Sequence, residues 1–162
     1  MRSVPATLYI CLMVLLAAGA WSQAADPAPP RKENRMTRHA KGSFEVKLTP
    51  QPADDPALGR YTLEKQWHGD LDATSKGQML TGMATVKTSG AYVAIERVTG
   101  TLEGKSGSFI LQHNGTMANG TQQLNIAVVP DSGTAQLAGI SGRLTINIVD
   151  GKHFYDFEYT LP

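Results

Sequence analysis

The sequence predicts an all-β domain: a closed eight-stranded antiparallel barrel in meander order. Three observations carry this. Between residues 37 and 162, apolar and polar residues alternate in short runs, and nothing repeats at the 3.6-residue spacing of a helix face. Turn dipeptides containing Gly, Asn and Asp separate the runs. The connections are short enough for successive strands to pair as hairpins, and eight such strands close on themselves as a barrel.

The chain opens with material that does not read as fold. Arg2 precedes the apolar run 8–20 (LYICLMVLLAAGA), which is followed by small-residue cleavage options ending at Ala20 or Ala24. This is the layout of a secretory signal peptide over residues 1–24, and the run is shorter than the roughly 20 apolar residues that a spanning helix needs. Residues 25–36 read as a Pro-rich linker, a solvated tether carrying Pro27, Pro29 and Pro30 among five charges. The expected destination is the periplasm or the exterior; the alternative is a cytoplasmic protein translated from Met36. The fold proper is residues 37–162.

Composition excludes several functions. The 15 basic residues include Arg2, so removal of the leader leaves 14 basic against 14 acidic residues. A balanced chain lacks the basic surplus that nucleic acid or an anionic membrane demands. The one cysteine, Cys11, lies in the leader, so the mature domain has neither a disulfide nor a thiolate ligand or nucleophile.

Eight strands are expected, over 38–48, 60–72, 77–88, 91–103, 106–118, 121–130, 137–149 and 152–161. On the second, Tyr61, Leu63, Lys65 and Trp67 alternate with Thr62, Glu64, Gln66 and His68, so the aromatic face carries Lys65 inward with it. On the fourth, Tyr92, Ala94, Glu96 and Val98 share one face. The turn around Gly104-Lys105 decides what that face meets. A two- or four-residue loop puts Glu96 on the face of His113, and a two-residue loop puts them directly opposite; a three-residue loop would turn Arg97 inward instead.

The last two hairpins are better specified. Asn119-Gly120 and Asp150-Gly151 are type I′ signals, because both central positions need positive φ. A two-residue turn at the first sets Leu111 against Val128, His113 against Ile126 and Gly115 against Leu124. At the second it sets Ile148 against His153, Ile146 against Tyr155 and Leu144 against Phe157, with Arg143–Glu158 and Thr145–Asp156 on the outer face. His153, Tyr155, Phe157 and Tyr159 therefore point inward.

The segments AYVAIERVTGTLEGKSGSFILQHNGT (91–116) and AVVPDSGTAQLAGISG (127–142), with the opening HAKGSFEVKL and the closing FYDFEYTLP, resemble the bacterial family called domain of unknown function 3224. Members of that family are similar to the allene oxide cyclase barrel, calycin-like in appearance. The resemblance covers essentially all of 36–162. It implies a closed eight-stranded antiparallel barrel and no particular activity.

Several tempting motifs fail. Gly104-Lys105-Ser106 lacks the first glycine of a phosphate loop and joins two strands. His68, Asp70 and Asp72 read as a solvated polar face at a strand end, with no second histidine at ligand spacing, so no metal site is expected. Asn114-Gly115-Thr116 and Asn119-Gly120-Thr121 fit the glycosylation pattern but serve as turn chemistry. No Gly-x-Ser-x-Gly elbow is present, and no cofactor motif occurs.

What remains is the interior. Glu96 and His113 read either as a hydrogen-bonded pair buried for structural specificity or as a carboxylate and imidazole suited to proton transfer in a dry cavity. Tyr61, Lys65, Trp67, Tyr92, His153, Tyr155 and Tyr159 would then line an aromatic pocket. The function this favours is an exported barrel that binds one small apolar or aromatic molecule, as lipocalin-like barrels do. The alternative, a cofactor-independent isomerase or cyclase using Glu96 and His113 as catalytic groups, rests on analogy to the allene oxide cyclase barrel. A packed barrel acting through its surface or as an oligomer is the third reading.

Overall fold

The computed structural model describes residues 36–162; the expected signal peptide with Cys11, and all of the linker except Met36, lie outside them. Eight strands follow in order: β1 (Arg38–Gln51), β2 (Leu58–Gly69), β3 (Leu71–Met83), β4 (Gly90–Leu102), β5 (Lys105–Ala118), β6 (Thr121–Val128), β7 (Ser141–Val149) and β8 (Lys152–Thr160). Each pairs antiparallel with the next, and β1 pairs with β8, so the sheet closes into the expected barrel.

The two hairpins marked by Asn-Gly and Asp-Gly have the expected register. Asn119 and Gly120 take φ of 50° and 84°, Asp150 and Gly151 49° and 74°, the left-handed pair that matches strand twist. His113 faces Ile126 and Tyr155 faces Ile146 as a result.

Three connections differ from the sequence reading. The β4–β5 turn centres on Glu103-Gly104, one residue earlier than Gly104-Lys105. Both residues sit at positive φ (47° and 79°), and Gly104 takes the second left-handed position, which would otherwise have fallen to Lys105. Glu96 thus opposes Leu111, and His113 opposes Ala94. The two groups share a face as neighbours on a diagonal, not as direct partners, and Arg97 points out.

The second difference is the β2–β3 corner, which falls at Gly69-Asp70 and not after residue 72. Gly69 reverses the chain at φ 106°. The Asp70 carboxylate accepts the Lys41 N–H at 2.7 Å, and the Tyr155 hydroxyl accepts the Leu71 N–H at 3.0 Å while donating to the His68 carbonyl at 3.2 Å. These partners are remote in sequence, which is why local pattern does not reveal the corner. Strand β3 accordingly starts at Leu71 and ends at Met83, and residues 84–89, of which 84–88 are expected as strand, form the loop to β4. His68 and Asp72 then sit on different strands, and His68 meets Glu45 at 2.8 Å.

Third, β7 begins at Ser141 rather than 137. Strands β6 and β7 pair through only Ile126–Leu144 and Ala127–Arg143. The chain between them makes a single 3-10 turn (Ala135–Leu137) that buries Leu137 and Ile140 under the barrel.

The two ends of the barrel consequently differ. At the end of the β2–β3, β4–β5 and β6–β7 connections, Leu71, Leu102, Phe109, Leu137, Phe157 and Tyr159 are fully buried. Phe157 stacks on Phe109 at 5.6 Å and on Tyr159 at 5.3 Å. At the opposite end, the inward-facing Val46, Tyr61, Met79, Tyr92, Leu124, Ile146 and His153 are only half-buried. One end is plugged and the other is open.

A glycine sets the spacing between them. Gly77 faces both Leu63 and Glu96 across its neighbours, and a Cβ there would stand 2.3 Å from the Ile95 carbonyl oxygen and 2.7 Å from the Glu96 Cβ. Gly77→Ala is expected to destabilise the barrel by about 1–3 kcal/mol through overpacking. The check is a lower urea midpoint with an unchanged slope.

Candidate functional site

The charged residues of the interior meet at one carboxylate. Strand alternation carries Lys65 on β2, Ser75 on β3, Glu96 on β4 and His113 on β5 inward, and all four are buried. Glu96 Oε1 accepts from Lys65 Nζ at 2.6 Å and from His113 Nε2 at 2.7 Å, while Oε2 accepts the Ser75 hydroxyl at 2.5 Å. The Ser75 oxygen in turn accepts the Trp67 indole N–H at 3.1 Å. The Lys65 ammonium lies 4.8 Å from the centroids of both the Phe44 and Trp67 rings, placing its remaining charge over two π faces. Each donor to Glu96 comes from a different strand, and every buried side-chain nitrogen and oxygen among the described residues is hydrogen-bonded.

The electrostatics follow. Burial, the largest influence, would raise the Glu96 pKa, but the His113 hydrogen bond and the Lys65 charge together overcome it and hold the carboxyl at about 2. Burial pushes Lys65 below its ordinary value, with Glu96 opposing. Glu96 is thus an ionised acceptor at neutral pH and a poor base. An ionised carboxylate only accepts, so His113 Nε2 carries the proton in their bond.

Above this floor stands the open end. The Tyr92 ring lies over Gly115, where a Cβ would come within 2.4 Å of it. Burial, and then the Glu96 charge, raises the Tyr92 pKa and keeps its phenol protonated. A mainly apolar pocket of about 270 Å³ opens at the rim between β3, β4, β5 and β6, lined by Thr81, Tyr92, Gly115, Met117 and Gln122 among others. A larger groove, of about 590 Å³, lies along the outer wall beside the exposed Leu80, Val93 and Ile95, with Ala94 and His113 also in its lining.

The structure therefore divides the residues singled out in the sequence. Glu96, His113 and Lys65 are brought into direct contact. Tyr61, Tyr92 and His153 stand half-buried at the open end, His153 against Phe44 at 5.0 Å. Trp67 is fully buried beside Lys65, Tyr155 anchors the β2–β3 corner, and Tyr159 belongs to the plugged end. Ser75 was not anticipated, because the misplaced corner put it in a turn. With the corner at Gly69-Asp70 it faces Lys65 directly, and the alternation Leu71, Ala73, Ser75, Gly77 and Met79 was the signal available. Among the described residues, no group of three His, Cys, Asp or Glu is arranged to hold a metal ion.

The family model described as protein of unknown function (DUF3224) matches residues 40–159. The chain belongs to this family. A DUF3224 protein of unknown function from Shewanella oneidensis MR-1, known from its crystal structure, is 44% identical with a TM-score of 0.75, over 78% of this chain and 98% of that one. No curated protein matches the chain. The DUF3224 assignment thus agrees with the barrel and leaves the chemistry to the site.

Two outcomes follow from the cluster. Because the Glu96 carboxyl is held below its unfolded value of 4.5, its contribution is present above that pH and lost as the pH falls toward about 2. Stability should drop by on the order of 3 kcal/mol across that window, and Glu96→Gln should flatten the acid limb of a pH series of denaturant melts. Ser75→Ala leaves Oε2 and the Trp67 N–H without their partner, and is expected to cost about 1–3 kcal/mol in the same measurement.

Proposed function

We propose that this protein binds one small apolar or aromatic molecule at the open end of its barrel, above the Glu96 cluster. The observation that carries the reading is the asymmetry of the ends. Apolar side chains are packed to completion under the plugged end, whereas Tyr61, Met79, Tyr92, Leu124 and Ile146 face inward at the open end and remain half-exposed. An inward-facing aromatic surface left uncovered gains free energy from any apolar molecule that removes it from water. The cluster below neutralises itself, Lys65 against Glu96, so the floor does not select for a charged ligand. The leader-like segment 1–24 supports a site of action outside the cytoplasm.

The reading is tested by titrating the protein with naphthalene while following tyrosine and tryptophan fluorescence. Saturable binding is expected, and a melting temperature that rises with ligand as the folded state gains about 2.7 kcal/mol at a hundredfold excess over Kd. Thr81→Trp, which fills the rim pocket from β3, should abolish binding and leave the barrel folded. Binding that survives this substitution, or no binding by the native protein, would reject the reading.

A further inference from the structure

His113 holds a ring nitrogen of the floor that has no hydrogen-bond partner among the described residues. Both Glu96 oxygens are occupied, Oε1 by Lys65 and His113 and Oε2 by Ser75, and Glu96 itself has no exposed surface. Lys65 is committed to Glu96 and to the two rings. His113 uses Nε2 on Glu96; Nδ1 has no hydrogen-bond partner among the described residues. Since no fully buried side-chain nitrogen lacks a partner there, Nδ1 must lie on the 3% of the side chain that remains accessible. Strands β4 and β5 pair without interruption from Gly90–Met117 to Leu102–Lys105, so what reaches this atom comes from within the barrel. The plugged end is packed, and the approach is from the open end.

The Glu96 bond also constrains the chemistry of the atom. Glu96 is an acceptor, so Nε2 bears a proton, and in a neutral ring that leaves Nδ1 with a lone pair. We infer that His113 Nδ1 accepts a hydrogen bond from the ligand, and that the ligand is a neutral apolar or aromatic molecule bearing a hydroxyl, a phenol or alcohol rather than a carboxylate. A carboxylate would bring a second negative charge beside Glu96 with one buried cation, Lys65, to share between them, and desolvation would oppose it. A hydroxyl brings no charge and donates the proton that Nδ1 lacks. Tyr92, inward on β4 above Glu96, keeps its phenol protonated and supplies a donor for the ligand's oxygen. This deepens the binding reading above and rests on it.

The experiment compares 2-naphthol, naphthalene and 2-naphthoate by fluorescence titration at pH 7, on the native protein and on His113→Phe. The native protein should prefer 2-naphthol to either of the others by about tenfold, the worth of one hydrogen bond, and His113→Phe should bind naphthol and naphthalene alike. In parallel, 15N spectra of histidine-labelled native protein should show His113 as the Nε2–H tautomer, with its Nδ1 resonance moving when naphthol is added and not when naphthalene is. These spectra decide the matter even where His113→Phe fails to fold. Equal affinity of the native protein for naphthol and naphthalene, preference for naphthoate, or an Nδ1–H tautomer overturns the inference and leaves the pocket standing. Failure of all three compounds to bind overturns the inference together with the pocket.

Discussion

The Glu96 carboxylate is where four neighbouring strands are pinned to one another. It sits on β4 and accepts from β2, β3 and β5 at distances of 2.5 to 2.7 Å. A strand's side chains alternate between faces, so slipping any of the four by one residue would withdraw its group from the interior. A slip of β4 would also bring Arg97 inward in place of Glu96, facing the Lys65 ammonium as a like charge. Apolar packing tolerates rearrangement; an ion pair buried with two further donors does not. The cluster therefore selects one register for half of the barrel, while the turns at Asn119-Gly120 and Asp150-Gly151 specify the other half locally.

The same cluster marks the boundary between the two halves of the interior. Below it, Phe109, Leu111, Phe157 and Tyr159 pack with Leu137 and Ile140, contributed by the long β6–β7 connection. Gly77 lets β3 and β4 approach closely beside Glu96, Gly115 lets the Tyr92 ring lie over β5, and above the cluster the barrel is lined by side chains that stay half-buried. Polar groups at this level meet one another from below and the open end from above. That position accounts for a fully satisfied carboxylate and for a histidine with one nitrogen engaged and one turned to accessible space.

Much of this was legible in the sequence, and the limits have physical causes. Alternation shows which face a residue occupies, so the inward placement of Lys65, Glu96, His113 and Tyr155 could be read directly. It does not show height along the barrel axis, and for that reason Tyr155 and Tyr159, read as pocket wall, lie at the plugged end. Asn-Gly and Asp-Gly turns carry their own geometry and fixed their hairpins. The Gly69-Asp70 corner has a glycine of its own, but its hydrogen-bond partners are Lys41 and Tyr155, from the first and last strands, and the alternating pattern runs on past it to Asp72; Ser75 was hidden by that error. At Glu103-Gly104 the glycine was recognised but assigned to the wrong central position, which moved Glu96 and His113 from opposite to diagonal without changing their face.

Lys65 and Glu96 act as a unit, each held buried and charged by the other. A double-mutant cycle built from Lys65→Met and Glu96→Gln, read as denaturant stability at pH 7, tests this most directly. Either single change leaves a buried group without its counterpart, whereas the double change removes both; the double mutant is expected to be more stable than the sum of the singles by at least about 1 kcal/mol. Effects that add to within about 0.5 kcal/mol would contradict this, because the carboxylate would then not be the point on which the four strands are set.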